Sequence, residues 1–378
     1  MKIYLSPPHL SSEGYEQAYV TDVFASNWIA PLGAYVDRFE QELASRTERK
    51  GGVALSSGTA AIHLALKACG VAPGDNVICS AFTFAASCNP IIYEQGIPIF
   101  IDSDYETWNL DVDLVEKALA DCALSGRPAK AVIAVSLYGQ PANLPRLEEL
   151  CKHYEVALID EATEALGASV LGRPCGSFGR FGILSFNGNK IITTSGGGAV
   201  VGDDSEALAK MRFWATQSRD AAPHYQHSEL GFNYRMSNLC AAVGCGQLQV
   251  LDEHVAATRA IYARYCEAFA DIPQIEMMPL YAESTNWLSV ITLANGSPIA
   301  PADIAQKLAA EDIESRPAWK PMNLQPYWQN YTFYAKDKAN PVGDDIFRRG
   351  LCLPSGSNLL PHEQEKVISC VRSAVSRR

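Results

Sequence analysis

Short apolar runs alternate with amphipathic stretches through the first two hundred residues. The runs VAL at 53–55, KAVIAV at 130–135, VALI at 156–159, GILSF at 182–186 and AVV at 199–201 are bounded by turn residues, which is typical of buried strands. Helical periodicity covers residues 15–26 and 34–46, and the intervening NWIAPLG breaks it. Strand and helix keep alternating to about residue 200, which predicts a mainly parallel sheet covered by helices.

The pattern changes in the second half of the chain. A helix is predicted at 205–216, a long polar and aromatic loop at 221–238, and a long helical segment at 239–270. Strands at 288–294 and 350–356 then flank a helix at 301–313, and a last helix follows. We therefore expect a large domain over residues 1–250 and a smaller α+β domain over residues 251–378.

Composition and charge restrict the class of protein. The 378 residues are 48% apolar and 19% charged, as in soluble globular proteins. The net charge of −11 argues against nucleic-acid partners and anionic membranes, and no apolar run approaches the roughly 20 residues of a membrane span. Eleven cysteines without a CxxC pair, and no signal peptide, predict reduced thiols in the cytoplasm. His224 and His227 lack further ligands at suitable spacing, so no metal site is predicted.

One lysine stands in an unusual sequence context. Lys190 follows the apolar run GILSF and an Asn-Gly-Asn turn that is predicted to put it at a strand end, and it precedes the triplet Gly196–Gly198. A lysine half-buried between strands can act as an amine nucleophile toward an aldehyde. The alternative from the residues alone is a surface lysine in a hairpin.

Other chemically useful side chains fall at predicted strand ends. Ser57, Gly58 and Thr59 form a turn between a strand and a helix, where free N–H groups and the helix dipole favour an anion; the alternative is a plain N-cap. Phe84 and the pair Asp160–Glu161 follow two further strands. Ligands of parallel sheets collect at the carboxyl ends of the strands, so we expect these residues to lie near Lys190.

Together these residues are the parts that a pyridoxal phosphate (PLP) enzyme needs. A lysine can form a Schiff base with the cofactor, an acid can pair with the pyridine nitrogen, an aromatic ring can stack on the cofactor, and a helix N-terminus can hold its phosphate. The combination favours a catalytic Lys190 over a surface hairpin lysine.

At this point the sequence resembles a known family, the DegT/DnrJ/StrS nucleotide-sugar aminotransferases. The segments that carry the resemblance follow the family order: LSPPH, SNWIAPLG, SSGTAAIHLAL, AFTFAAS, EALGA, LSFNGNKIITTSGGGAVV, GFNYRMSN and CLPSGS. The resemblance implies the aspartate-aminotransferase fold (PLP fold type I), with a mainly parallel seven-stranded sheet in the large domain and a smaller α+β domain. The chain is most similar to the branch that aminates C4 of UDP-linked 4-keto-6-deoxy N-acetylhexosamines in bacillosamine-type pathways.

The resemblance also implies roles for individual residues. Lys190 would hold the cofactor as an internal aldimine and move the proton, with L-glutamate as the amino donor and the pyridoxamine form as intermediate. Asn233 would reach the cofactor phosphate of a partner subunit, which implies a homodimer with shared sites. The remaining cofactor contacts would be Ser57, Gly58, Thr59 and Ser185 at the phosphate, Phe84 on the ring, and Glu164 near the ring hydroxyl, where the family often has Gln or His.

The acid assignment departs from the family pattern. That pattern is Glu-Asp-Ala-x-x-Ala-Leu-Gly, whereas this chain has Asp160 before Glu161. Counting back from Ala165 places Glu161 opposite the pyridine nitrogen, and Asp160 is the alternative. Strand alternation would turn Asp160 to the opposite face.

The sugar-nucleotide contacts are less specific. Arg235 could pair with the diphosphate or form a structural salt bridge, and Trp28, Trp319 and Lys320 could line the hexose site or serve only in packing. The family often has His at the position of Asn323.

Two other functions compete with the C4 aminotransferase. A 3-aminotransferase or a lyase or dehydratase would use the same fold, although related sugar deoxygenases replace the lysine with histidine. A non-catalytic regulator would need a DNA-binding segment, and none is evident.

Overall fold

The predicted alternation of strands and helices forms the framework, which the computed structural model describes for residues 2–376. The helices are α1 Tyr15–Ala25, α2 Ala34–Arg46, α3 Gly58–Ala68, α4 Asn89–Tyr93, α5 Val112–Leu124, α6 Leu144–His153, α7 Ser205–Ala215, α8 Asn238–Gln249, α9 Leu251–Phe269, α10 Pro301–Ala310, α11 Val342–Arg349 and α12 Pro361–Val375. The strands are β1 Gly51–Leu55, β2 Asn76–Ser80, β3 Ile97–Ile101, β4 Ala129–Val135, β5 Ala157–Glu161, β6 Ser169–Val170, β7 Arg173–Pro174, β8 Phe181–Ser185, β9 Gly198–Gly202, β10 Ile275–Met277, β11 Ser289–Leu293, β12 Arg316–Pro317, β13 Thr332–Tyr334 and β14 Gly350–Leu353.

Several helices begin at a polar residue whose side chain caps the first turn. Ser57, Asp111, Asn143, Asp204 and Ser237 each accept a hydrogen bond from a backbone N–H in the first turn of the helix that follows. Such caps satisfy donors that have no partner inside the helix. They fix where α3, α5, α6, α7 and α8 start relative to the strands.

A large sheet forms the centre of the fold, with strand order β1-β9-β8-β5-β4-β2-β3-β13. The pairs from β8 across to β13 are parallel, whereas β9 pairs antiparallel with both β8 and β1. Successive residues of β4 point to opposite faces of the sheet, where Val132 packs in one apolar cluster and Ile133 in another. Burial on both faces is typical of a parallel sheet covered by helices, so the predicted α/β fold class is confirmed.

The sheet has one strand more than expected. Seven strands come from residues 51–202, and the eighth, β13, comes from the C-terminal part of the chain and pairs in parallel with β3. A second sheet of order β10-β11-β14-β12 packs with α9, α10 and α12 around Ile291, Leu308 and Val367. The domain boundary at residues 250–251 stays a prediction. Strand β13 lies after this boundary in sequence but belongs to the large sheet.

Two local predictions need correction. The helical segment predicted at 239–270 is two helices, α8 and α9, because Val250 leaves helical geometry at φ −113° and ψ 9°. Lys190 does not lie at a strand end, since β8 stops at Ser185 and residues 186–197 form a loop that leads into β9. Among the residues that the structure describes, no helix is both long enough and apolar enough to cross a membrane.

The glycine triplet after Lys190 gives a test of how closely β9 approaches α3. A Cβ on Gly198 would lie 2.3 Å from the Gly58 nitrogen and 2.4 Å from the Ser57 carbonyl carbon, whereas a Cβ on Gly196 would meet nothing within 4 Å. Gly198→Ala should therefore lower the free energy of unfolding by about 3 kcal/mol, because backbone atoms must move apart. Gly196→Ala, the matched control, should stay within about 0.5 kcal/mol of wild type in urea unfolding. Equal midpoints for the two variants would contradict this close approach.

Candidate active site

A cavity of about 840 Å³ opens between the carboxyl ends of the large sheet and a wall from the C-terminal part of the chain. The wall includes the segment 316–320 and Cys352 of β14. The cavity is large enough for a cofactor and a sugar substrate. The predicted site residues that line it are Ser57, Gly58, Thr59, Phe84, Glu161, Glu164, Ser185, Lys190, Trp319 and Lys320.

Lys190 is a partly buried member of the cavity lining and not an exposed surface residue. Its side chain is 12% exposed, and Nζ lies 3.2 Å from Glu164 Oε1. Nζ also lies 4.5 Å from the centre of the Trp287 ring, within range of a cation–π interaction. The Lys190 amide donates to the Asn187 carbonyl, which closes the predicted turn. Two contacts of Nζ and one backbone hydrogen bond therefore position this lysine in the cavity.

Two buried carboxyl groups, Glu161 and Glu164, share the cavity with this lysine. Glu164 accepts hydrogen bonds from Lys190 and from the Tyr138 amide at 2.7 Å. Burial raises the pKa of Glu164, and the Lys190 charge acts in the opposite direction. Burial and the neighbouring Glu164 raise the pKa of Glu161 to about 7, although the hydrogen bond from Thr163 lowers it. Glu161 accepts from Ser87 Oγ at 3.0 Å.

Glu161 has the properties expected of a ring-nitrogen partner. The charge of Lys190 lowers the pKa of Glu161, but this lysine is already paired with Glu164. A carboxyl group with a raised pKa becomes ionised when an opposite charge is placed beside it. A protonated pyridine nitrogen would supply that charge, so this residue fits the cofactor that the sequence predicts.

Asp160 lies on the other face of β5, as strand alternation predicts. Its Oδ2 accepts from the amides of Gly176 at 2.6 Å and Phe178 at 3.4 Å, and Asp160 does not line the cavity. Burial raises the pKa of Asp160 to about 7, against the opposing hydrogen bonds and the charge of Arg49. The alternative assignment of Asp160 as a cofactor contact is therefore corrected, because its carboxyl group holds the 176–178 turn.

The turn before α3 has the geometry of an anion site. Ser57 Oγ caps the helix by accepting from the Ala60 amide at 3.1 Å. Among the described residues, no protein acceptor takes the amides of Gly58 and Thr59, and both residues line the cavity. A Cβ on Gly58 would lie 3.1 Å from Ser185 Cβ, so glycine allows the turn to approach that serine. Open amides at a helix N-terminus beside a hydroxyl fit a phosphate group.

The aromatic side chains lie toward the mouth of the cavity. Phe84 is 61% exposed, and its ring centre is 5.7 Å from that of Trp319. The Trp319 amide donates to Tyr138 Oη at 2.9 Å, which fixes this part of the wall. Lys320 is half-buried beside Trp319. Stacking of Phe84 on a cofactor ring remains a prediction.

Besides Asp160, three of the predicted residues lie outside the cavity lining. Asn233 is exposed on a bridge to Thr216. The backbone of Arg235 forms an antiparallel β-bridge with Leu55. Burial lowers the pKa of the Arg235 side chain, and the charge of the neighbouring Arg212 lowers it further. Trp28 donates from Nε1 to the Leu32 carbonyl at 2.7 Å and lines a separate groove with Tyr35 and Arg38. The structure therefore does not bring Trp28 or Arg235 to the sugar site of their own chain.

Other cavity residues were not identified from the sequence. Ser87, in the segment AFTFAAS, holds Glu161, and its place in that motif is a signal that could have been used. Trp287 lines the cavity from a distant part of the chain and carries no local signal, and Arg316 lies three residues before the predicted Trp319. Tyr138 is not in the lining but contacts Glu164 from behind through its amide. Among residues 2–376, no cluster of three or more His, Cys, Asp or Glu side chains could hold a metal ion.

The fold and the cavity define a PLP-dependent enzyme of fold type I, and comparisons with known proteins give its family. The sequence profile of the DegT/DnrJ/EryC1/StrS aminotransferase family matches residues 11–372, and the chain belongs to this family. EpsN of Bacillus subtilis (strain 168), whose name gives it provisionally as a pyridoxal phosphate-dependent aminotransferase, is 52% identical over 369 residues, covering 97% of this chain and 94% of EpsN.

Two further comparisons agree with this assignment. The GDP-perosamine synthase of Vibrio cholerae is 33% identical over 368 residues, covering 96% of this chain and 97% of the synthase. The crystal structure of a DegT DnrJ EryC1 StrS aminotransferase from Brucella abortus superposes with a TM-score of 0.88 at 28% identity, covering 97% of this chain and 96% of that one. The chain is thus a PLP-dependent sugar aminotransferase of this family.

The acid assignment can be tested with two isosteric substitutions. Glu161→Gln should lower kcat by about 100-fold or more while the enzyme still retains PLP on dialysis, because an amide cannot keep the ring nitrogen protonated. Asp160→Asn should change kcat by no more than a few-fold, because that carboxyl group faces away from the cavity. Steady-state kinetics and cofactor content per subunit measure both. The reverse ranking would show that β5 presents the other acid.

Proposed function

We propose that this chain transfers an amino group from L-glutamate to C4 of a UDP-linked 4-keto-6-deoxy N-acetylated hexose. The observation that carries the proposal is Lys190, held in the cavity by Glu164 at 3.2 Å and by the Trp287 ring. A buried amine beside an acid can bind a carbonyl group covalently and can transfer protons. A surface hairpin lysine would have neither partner.

The residues of the cavity divide the work. PLP, when bound, supplies an electron sink for bond breaking at the carbon that carries nitrogen. Gly58, Thr59 and Ser185 would hold its phosphate, and Glu161 would pair with its ring nitrogen. Lys190 Nζ would hold the cofactor and then carry the proton to and from the substrate carbon. Glu164 accepts a hydrogen bond from Nζ and so orients the lysine.

The wall opposite the lysine favours anionic substrates. Arg316 makes one side-chain hydrogen bond to the described part of the chain, to Glu314 at 2.9 Å, although a guanidinium has five donors. No ion pair holds the Lys320 ammonium within residues 2–376. Both cations line the cavity and could receive the diphosphate of a nucleotide. The UDP-sugar and the C4 position rest on the resemblance of the motifs.

A substrate panel tests this function. Wild-type enzyme with L-glutamate is offered UDP-, GDP- and dTDP-linked 4-keto sugars and a 3-keto sugar, and the products are identified by mass spectrometry. Amination of the UDP-linked N-acetylated 4-keto sugar is expected, and Lys190→Ala should lower its rate by about 10³-fold or more. Preference for a GDP-linked sugar, as the Vibrio cholerae relative's name would suggest, would correct the nucleotide, whereas near-wild-type turnover by Lys190→Ala would refute the mechanism.

We further propose a homodimer with shared active sites, located in the cytoplasm. The loop 221–238 exposes Tyr225 and Leu230, with 76% and 73% of their surface accessible, and Asn233 is exposed beside them. Large apolar side chains on an exposed loop favour contact with another subunit. All eleven cysteines are free, which supports a reducing compartment.

Subunit mixing tests the shared site. Asn233→Ala and Lys190→Ala proteins should each be poorly active, but a mixed dimer contains one site with both native residues. Random exchange should return about a quarter of wild-type activity, because half the dimers are mixed and each has one intact site. Differently tagged subunits report the exchange, and each variant mixed with itself is the control. Complete exchange without recovered activity would exclude Asn233 as a residue of the partner's site.

A further inference from the structure

Tyr138 has a strained backbone beside the active site. It follows β4 with φ 55° and ψ 17°, in the left-handed region that residues other than glycine seldom adopt. Its side chain is nevertheless buried, with 1% of its surface exposed. The surrounding structure must hold such a residue in place, and strain of this kind is concentrated at functional sites.

The strained turn directs the Tyr138 amide toward the acid that holds Lys190. The amide donates to Glu164 Oε2 at 2.7 Å, while Oε1 of the same carboxyl group faces Lys190 Nζ at 3.2 Å. Because the Tyr138 amide fixes Oε2 of Glu164, the direction of Oε1 toward Lys190 is also fixed. The orientation of the lysine's partner therefore depends on the backbone of Tyr138.

The side chain of Tyr138 reaches the opposite wall of the cavity. Its Oη accepts a hydrogen bond from the Trp319 amide at 2.9 Å, and the two ring centres are 5.1 Å apart at a steep angle. Trp319 in turn contacts Phe84 and Trp287. Thus one buried residue contacts both the acid at the lysine and the aromatic wall at the mouth of the cavity.

We propose that Tyr138 is a positioning residue that sets the distance between the lysine and the sugar-binding wall. Its amide fixes the Glu164–Lys190 pair, and its hydroxyl fixes Trp319. A keto sugar bound against Trp319 is thereby presented to Nζ, whereas a small donor such as L-glutamate does not need this wall. The identity of the sugar rests on the function proposed above, but the link between the two walls does not.

Tyr138→Phe tests the proposal because it removes the hydroxyl and leaves the ring and the backbone turn in place. The KM for the keto-sugar nucleotide and the Kd of the amino-sugar product should both rise about tenfold, since the Trp319 amide loses its acceptor. The rate of the half-reaction with L-glutamate and its pH profile should stay unchanged, because the Glu164 contact comes from the backbone. Hydrogen exchange at residues 318–320 should become faster.

Tyr265→Phe is the matched control. Tyr265 is also fully buried, and its hydroxyl donates to the Pro354 carbonyl at 2.8 Å in the apolar cluster around β11, away from the cavity lining. It should lower the melting temperature about as much as Tyr138→Phe does, without changing KM for the sugar or exchange at 318–320. Stability loss alone would affect both variants equally.

Two results would overturn the proposal. One is an equal loss in both half-reactions of Tyr138→Phe, which would place the residue in the common chemistry. The other is unchanged sugar binding and unchanged exchange at 318–320. If wild-type enzyme aminates no sugar in the panel, the proposed function fails, and the exchange measurement alone decides whether Tyr138 fixes Trp319.

Discussion

A largely buried ion pair, in which Lys190 is 12% and Glu164 3% exposed, is the interaction around which the cavity is arranged. Moving an ammonium and a carboxylate out of water is costly unless each is paired and hydrogen-bonded. The Tyr138 amide satisfies the second carboxylate oxygen, and the Trp287 ring covers the ammonium. Glu161 lies three residues earlier in the chain and accepts hydrogen bonds from Ser87 and Thr163. Burial, and then the nearby Glu164, raise its pKa to about 7. One acid thus serves the lysine, and the other is available to a bound group.

Much of this site could be predicted because its main parts depend on local patterns. The strand alternation that turned Asp160 away from Glu161 has a period of two residues and needs no knowledge of the fold. The capped turn at Ser57 likewise depends on four consecutive residues, because the Ser57 side chain accepts from the amide of Ala60. Lys190 was identified by the apolar run before it and the glycines after it, although the chain around it is a loop and not a strand end.

The remaining parts depend on contacts between distant segments. Trp287 meets Lys190, and Trp319 meets Tyr138, across about a hundred residues or more of sequence, and no periodicity encodes such meetings. Trp28 and Arg235 were candidates because of their residue types, yet tertiary packing places them elsewhere. The extra strand β13 was missed for a related reason, since three residues are too few to show a period.

The pairing of β13 with β3 has a consequence for how the protein is made. Strand β3 ends at residue 101, but its outer neighbour begins at residue 332, so a ribosome must add more than two hundred residues before that edge is covered. During this interval the nascent chain presents the apolar strand IPIFI with an open row of backbone donors and acceptors. Slow translation, or truncation before residue 332, would prolong the time in which such edges can pair with one another and aggregate.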